Sequence, residues 1–163
     1  MGMCGILSEF FASVFTDEET GELPEVKDMF NEQEGNRLND VCITVEIVHS
    51  KLEKLALNKA PGVDGILSET LAANADILSE PLCQMYQASL YTGAVPEDWR
   101  WANVSAIFKK GMKPEAGNYR PVSLASHICK ILESIIKNNV VDHVQKFRLI
   151  ERSEHGLRGT YLV

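Results

Sequence analysis

The chain has 163 residues, of which 45% are apolar and 24% charged, the make-up of one globular domain or a piece of one. No stretch reaches the roughly 18 apolar residues of a membrane helix, and the first nine residues lack the basic start and long apolar core of a signal peptide. The net charge of −7 conceals a polarity: residues 61–99 carry six carboxylates and no Lys or Arg, whereas residues 100–163 carry eleven cations against five carboxylates. A nucleotide or nucleic-acid partner would therefore dock on the C-terminal part. Cys4, Cys42, Cys83 and Cys129 are scattered and form no C-x-x-C pair, which argues against a zinc ribbon and reads as reduced thiols in an intracellular chain.

In chain order, Phe10-Phe11-Ala-Ser-Val14-Phe15 is a dense apolar patch expected in a short helix. Residues 17–39 are acidic and broken by Gly21, Pro24 and Gly35, a connector by composition. Residues 1–40 thus read as an N-terminal helix and acidic connector, ahead of a main unit over 41–163. Thr44 suits an N-cap, and Val48, Leu52 and Leu55 at i, i+4 and i+7 predict a helix to about Leu57. Asn58-Lys-Ala-Pro-Gly-Val-Asp-Gly65 breaks it. A second helix is expected from near Leu67. A third is expected over about 76–91, with a stripe of Leu78, Leu82, Met85 and Leu90 and with Gly93 just past its end. Pro81 could instead mark a later start in its first turn.

Val95-Pro-Glu-Asp-Trp99 reads as a turn carrying an aromatic plug. Residues 102–108 alternate around Val104, Ala106 and Phe108 and predict a strand. A Gly- and Pro-containing turn leads to a return strand over 119–124, which Pro121 restricts to an edge or an interruption of the ladder. Ser126 caps a long helix whose wide apolar face is Ile128, Ile131, Leu132, Ile135, Ile136, Val140, Val144 and Phe147. The class is α+β, mostly helical with a small antiparallel hairpin. Two strands alone are marginal, so the hairpin is expected to need further pairing. Lys109 and Lys110 close its first strand and Arg120 opens its second, which gathers three cations that can face a triphosphate or a nucleic-acid backbone.

Seven runs then fall in a telling order: Phe10-Phe-Ala-Ser-Val-Phe, Lys59-Ala-Pro-Gly-Val-Asp-Gly-Ile66, Val95-Pro-Glu-Asp-Trp99, Ala102-Asn-Val-Ser-Ala-Ile-Phe-Lys-Lys110, Gly117-Asn-Tyr-Arg-Pro-Val-Ser-Leu124, Lys130-Ile-Leu-Glu133 and His155-Gly-Leu-Arg158. Together they resemble the N-terminal and fingers region of reverse transcriptases from non-LTR (LINE, jockey-like) retrotransposons. The resemblance implies part of a right-hand polymerase, with fingers and the start of a palm. It implies an RNA-directed DNA polymerase, a nucleotidyltransferase acting on an RNA template, a DNA primer and dNTPs. Mg²⁺ is expected for the full-length enzyme, held by a palm Asp and a Tyr-x-Asp-Asp turn.

Neither palm motif occurs in residues 1–163, and after Lys110 the sequence holds one Asp, Asp142, inside the long helix. The expectation is therefore no catalytic residue, metal or cofactor in this piece, and inactivity alone. The alternatives are a nucleic-acid-binding remnant and an inert translated relic. By the resemblance, Lys109, Lys110 and Arg120 contact the nucleotide, while Lys59, Lys113, His155 and Arg158 contact nucleic acid. Glu154 and Leu157 replace the family's Gln and Phe beside His155 and Arg158, and a carboxylate there repels phosphate. Trp101 is a candidate for stacking on a base, whereas Trp99 suits core packing.

Overall fold

The computed structural model of the chain describes residues 2–14, 38 and 40–147. The acidic connector therefore lies almost wholly outside the described residues, as do His155 and Arg158. Among the described residues, five α-helices and one hairpin follow in the order α1 (Met3–Ser13), α2 (Val45–Glu53), α3 (Ser68–Ala73), α4 (Ala75–Thr92), β1 (Ala102–Phe108), β2 (Tyr119–Ala125) and α5 (His127–Lys146). The α+β class holds.

Local chemistry sets most boundaries. The Thr44 hydroxyl accepts from the Ile47 N–H at 3.4 Å, and the Ser126 hydroxyl accepts from the Cys129 N–H at 3.1 Å, so both expected N-caps form. Gly93 takes the left-handed conformation, φ 67°, that ends α4. The short helix expected at the Phe-rich patch is α1, which runs from Met3 and closes with the Ser13 hydroxyl bonded to the Phe10 carbonyl.

Three expectations need correction. α2 stops at Glu53, four residues short of Leu57, because Leu55 turns its N–H back to the Leu52 carbonyl and Asn58 adopts φ 61°. The Asn58 N–H is then taken by the Glu69 carboxylate at 2.6 Å. Pro81 lies inside α4 and not at a new start. The carbonyl that Pro81 leaves without a helical donor belongs to Ile77, an exposed residue, so its loss is borne on the solvent side. Finally, the buried stripe of α4 is Ala75, Ser79, Leu82, Cys83, Tyr86 and Ser89, whereas Met85 and Leu90 face outward. The two serines tolerate burial because each hydroxyl donates locally, Ser79 to the Ala75 carbonyl and Ser89 to that of Ala94.

The core joins Ile43, Val48 and Leu52 to Leu71, to Ala75, Leu82, Cys83 and Tyr86, and to Ile131, Leu132 and Ile135. Tyr86 is its centre. It is fully buried, stacks obliquely on Trp99 at 5.6 Å and donates its hydroxyl to the Ile128 carbonyl at 2.8 Å. Burial pushes its phenol well above the usual tyrosine range. Trp99 is thus the aromatic plug, set in a 3₁₀ turn at Glu97–Arg100. The outer part of α5 is less covered, and Val140 is exposed.

β1 and β2 pair antiparallel, from Ala102↔Ala125 at the base to Phe108↔Tyr119 at the tip. Pro121 sits opposite Ala106, which a ribbon with two free edges accommodates. No third strand joins the sheet among the described residues. The ribbon is correspondingly exposed along β1, with Ile107 49% accessible. α1 lies near it, sharing a cleft of about 540 Å³ with Val104, Ser105 and Ala106.

Candidate nucleotide and nucleic-acid interface

The register decides where the cations fall. Arg120 pairs with Ile107 and so shares its face of the pleat. The ladder runs one step past the strands, since the Lys109 N–H donates to the Asn118 carbonyl at 2.8 Å. By alternation Lys109 falls on the same face as Ile107 and Arg120, and Lys110 on the other. The opposite face at this level carries Phe108 against Tyr119, ring centroids 5.4 Å apart. Lys109, Lys110, Lys113 and Arg120 are all exposed, and none takes part in the ion pairs found among the described residues, which centre on His49.

The loop between the strands is tied down from within. The Asn118 side-chain amide donates to the Met112 carbonyl at 2.9 Å and to the Glu115 carboxylate at 2.8 Å. Backbone bonds run from Glu115 to Met112 and from Asn118 to Glu115. Glu115, the one carboxylate in the loop, is thereby engaged by a neutral amide. Two cations on one face of a fixed ribbon, with a third behind them, can present a fork and a point charge to phosphate oxygens.

Lys59 is not part of this group. Its turn is held by an Asp64 carboxylate that accepts from the Ile66 N–H at 3.2 Å, and by a Gly65 N–H bonded to the Gly62 carbonyl. A Cβ placed on Gly62 would lie 2.6 Å from the Ser126 Cα and N and 2.8 Å from the Ala125 carbonyl carbon. The turn is thus pressed onto the junction where β2 passes into α5. That is the base of the ribbon, and the six ladder steps to its tip span roughly 20 Å. Lys109, Lys110, Lys113 and Arg120 thus belong to the outer end of the hairpin, and Lys59 precedes by three residues the glycine packed at its base.

Trp101 is 61% exposed, one residue before β1. Sequence reading passed over two features. His127, the first residue of α5, is 5% exposed, and its Nε2 has no hydrogen-bond partner among the described residues. Burial, aided by Lys130, lowers its pKa, against the raising pull of Asp64 and Glu69. Lys51, Lys54 and Lys130 line a cleft between α2 and α5. Lys51 lies in α2, Lys54 at its C-cap, and Lys130 in α5, 76 residues beyond Lys54, so only the i, i+3 spacing of the first two is visible in the sequence.

Among the described residues no group of three or more His, Cys, Asp or Glu side chains could hold a metal ion. Asp142 is exposed on α5. These residues do not fit the paired ions of a polymerase, which need clustered carboxylates. No described helix is long and apolar enough to cross a membrane.

No family model matches the chain. Curated relatives do. It is 33% identical over 118 residues to the probable RNA-directed DNA polymerase from transposon BS of Drosophila melanogaster, covering 71% of this chain. It is 32% identical over 122 residues to the RNA-directed DNA polymerase from mobile element jockey of the same fly. It is 26% identical over 121 residues to the Pol polyprotein from type-1 retrotransposable element R1 of Bradysia coprophila. The matched class is that of RNA-directed DNA polymerases of mobile elements. The chain belongs to the non-LTR retrotransposon reverse transcriptase family, with jockey-like relatives, and the match spans 12–13% of the length of these curated relatives.

Proposed function

We propose that residues 41–163 form the fingers and the start of the palm of an RNA-directed DNA polymerase, and that the hairpin tip contacts the incoming nucleotide. Arg120 and Lys109 grip the triphosphate from one face and Lys110 adds charge from behind, while Lys59, Lys113 and, outside the described residues, His155 and Arg158 are the nucleic-acid contacts that the family resemblance implies. The observation that carries this is the register Ile107↔Arg120, which puts Arg120 and Lys109 on the same face of an exposed ribbon. Each charge-assisted hydrogen bond contributes about 1.5–3 kcal/mol. Lys109→Ala with Arg120→Ala therefore weakens binding of dTTP to the chain at least tenfold. Unchanged affinity in a folded double variant rejects the assignment.

The same reading holds that residues 1–163 do not polymerise by themselves, since Asp142 is their one Asp after Lys110 and stands alone on a helix. Primed RNA template with Mg²⁺ and dNTPs gives no extension; template-dependent extension refutes this. A second reading, a nucleic-acid-binding remnant, is favoured by the eleven cations of residues 100–163. It predicts binding that weakens steeply with salt.

A further inference from the structure

Lys51, Lys54 and Lys130 converge on one cleft of about 650 Å³ between α2 and α5, which Ser50, Ser134 and Asn138 also line. The Lys51 ammonium is already placed: it donates to the Ser134 hydroxyl at 2.6 Å, and to the Asn138 side-chain oxygen at 3.0 Å with that amide oriented to satisfy both its groups. Glu46 is the one carboxylate of the lining, and it is bound to its own helix start through Thr44. Ile47, Leu55, Ala56 and Ile131 supply an apolar floor.

Two features set this cluster apart from ordinary surface lysines. Lys130 lies in the first turn of α5, where the positive end of the helix dipole disfavours a cation. Lys51 is partly desolvated and crowded by Lys54 and Lys137, which together hold its pKa below the ordinary lysine value. The fold thus concentrates like charge at a site where it costs stability, and an anion in the cleft relieves both penalties. An inorganic phosphate would use the cations and leave the apolar floor idle. A nucleic-acid strand uses both, with phosphates on the lysines and the apolar edges of its sugars against the aliphatic side chains.

We propose that the α2–α5 cleft is a second phosphate-contact site, which takes the phosphodiester backbone of a single nucleic-acid strand on Lys51, Lys54 and Lys130. It goes beyond the hairpin assignment, because the cleft shares no residue with the ribbon. The test titrates the 163-residue chain with a fluorescent twelve-residue oligothymidylate, and separately with tripolyphosphate and dTTP. The variant Lys51→Gln/Lys54→Gln/Lys130→Gln is expected to bind the oligonucleotide at least tenfold more weakly. Its log–log salt slope should fall by about 2, three contacts at about 0.7 each. Binding of dTTP is retained in this variant and weakened at least tenfold in the hairpin variant, so the two assignments fail separately.

A triple variant that melts like the parent and binds with unchanged affinity and slope overturns the proposal. Tripolyphosphate that matches the oligonucleotide in affinity also overturns it, since the cleft is then a small-anion site. Should the Gln variant fail to fold, amide shift mapping of the parent decides. Oligonucleotide-induced shifts across residues 46–56 and 130–138 support the cleft, and their absence refutes it.

Discussion

Replacing Gly62 by Ala tests the contact that seats the hairpin. Gly62 lies against backbone, and the added methyl would sit 2.6 Å from the Ser126 Cα and N and 2.8 Å from the Ala125 carbonyl carbon. Ordinary contact begins near 3.4 Å. Nothing there is the far end of a flexible side chain, so the turn or the β2–α5 junction must move by several tenths of an ångström or more. Overpacking of this kind costs about 1–3 kcal/mol. For a chain of this size that lowers Tm by roughly 2–4 °C per kcal/mol. Gly65→Ala is the matched control. Gly65 has φ 67° and open space around it, so its substitution costs only the left-handed backbone penalty, about 1–2 kcal/mol. Urea unfolding followed by circular dichroism measures both. A Gly62→Ala chain within 0.5 kcal/mol of the parent refutes the close packing of turn on junction. The same variant should also weaken dTTP binding, because the junction aims the ribbon.

Other expectations follow from single contacts. Tyr86→Phe leaves the Ile128 carbonyl without its 2.8 Å donor and should cost about 1–2 kcal/mol, whereas Tyr86→Ala should cost about 3–5, both read by denaturant midpoint. Ser126→Ala removes the cap of α5 and should cost about 1 kcal/mol; no change in unfolding free energy counts against the cap. His127 titrates lower in the folded chain than its unfolded value of 6.5, so the unfolded chain binds the extra proton first. Its contribution to stability is complete above 6.5, falls as pH drops through 6.5, and levels off below the depressed folded pKa. Melting curves between pH 7 and 5 should show this loss, and His127→Leu should flatten it; a parent whose Tm is level across that window contradicts the burial argument.

Where a single side chain sets a feature, the sequence was enough. Thr44, Ser126 and Gly93 act through their own hydroxyl or missing Cβ, and each terminates its helix as its chemistry demands. Alternation placed β1 at residues 102–108, since a strand pattern of period two has little competition there. The failures were of tertiary origin. A hydropathy stripe ranks Met85 and Leu90 above Ser79 and Ser89, yet close helix packing selects the small residues that can bond to their own backbone. Leu55 fits the helical period and so extends the expected α2 too far, whereas the fold spends the next residues turning toward Glu69. The cationic hairpin was legible because its parts are close in sequence. The lysine cleft was not, because Lys130 joins Lys51 and Lys54 only once α5 packs beside α2.

The central claim is that the ribbon tip meets the nucleotide, and amide chemical-shift mapping of the isotopically labelled chain during a dTTP titration tests it most directly. The account predicts shifts centred on Lys109, Lys110 and Arg120 that vanish in the Lys109→Ala/Arg120→Ala variant. Shifts centred elsewhere, or the same pattern in the variant, contradict it.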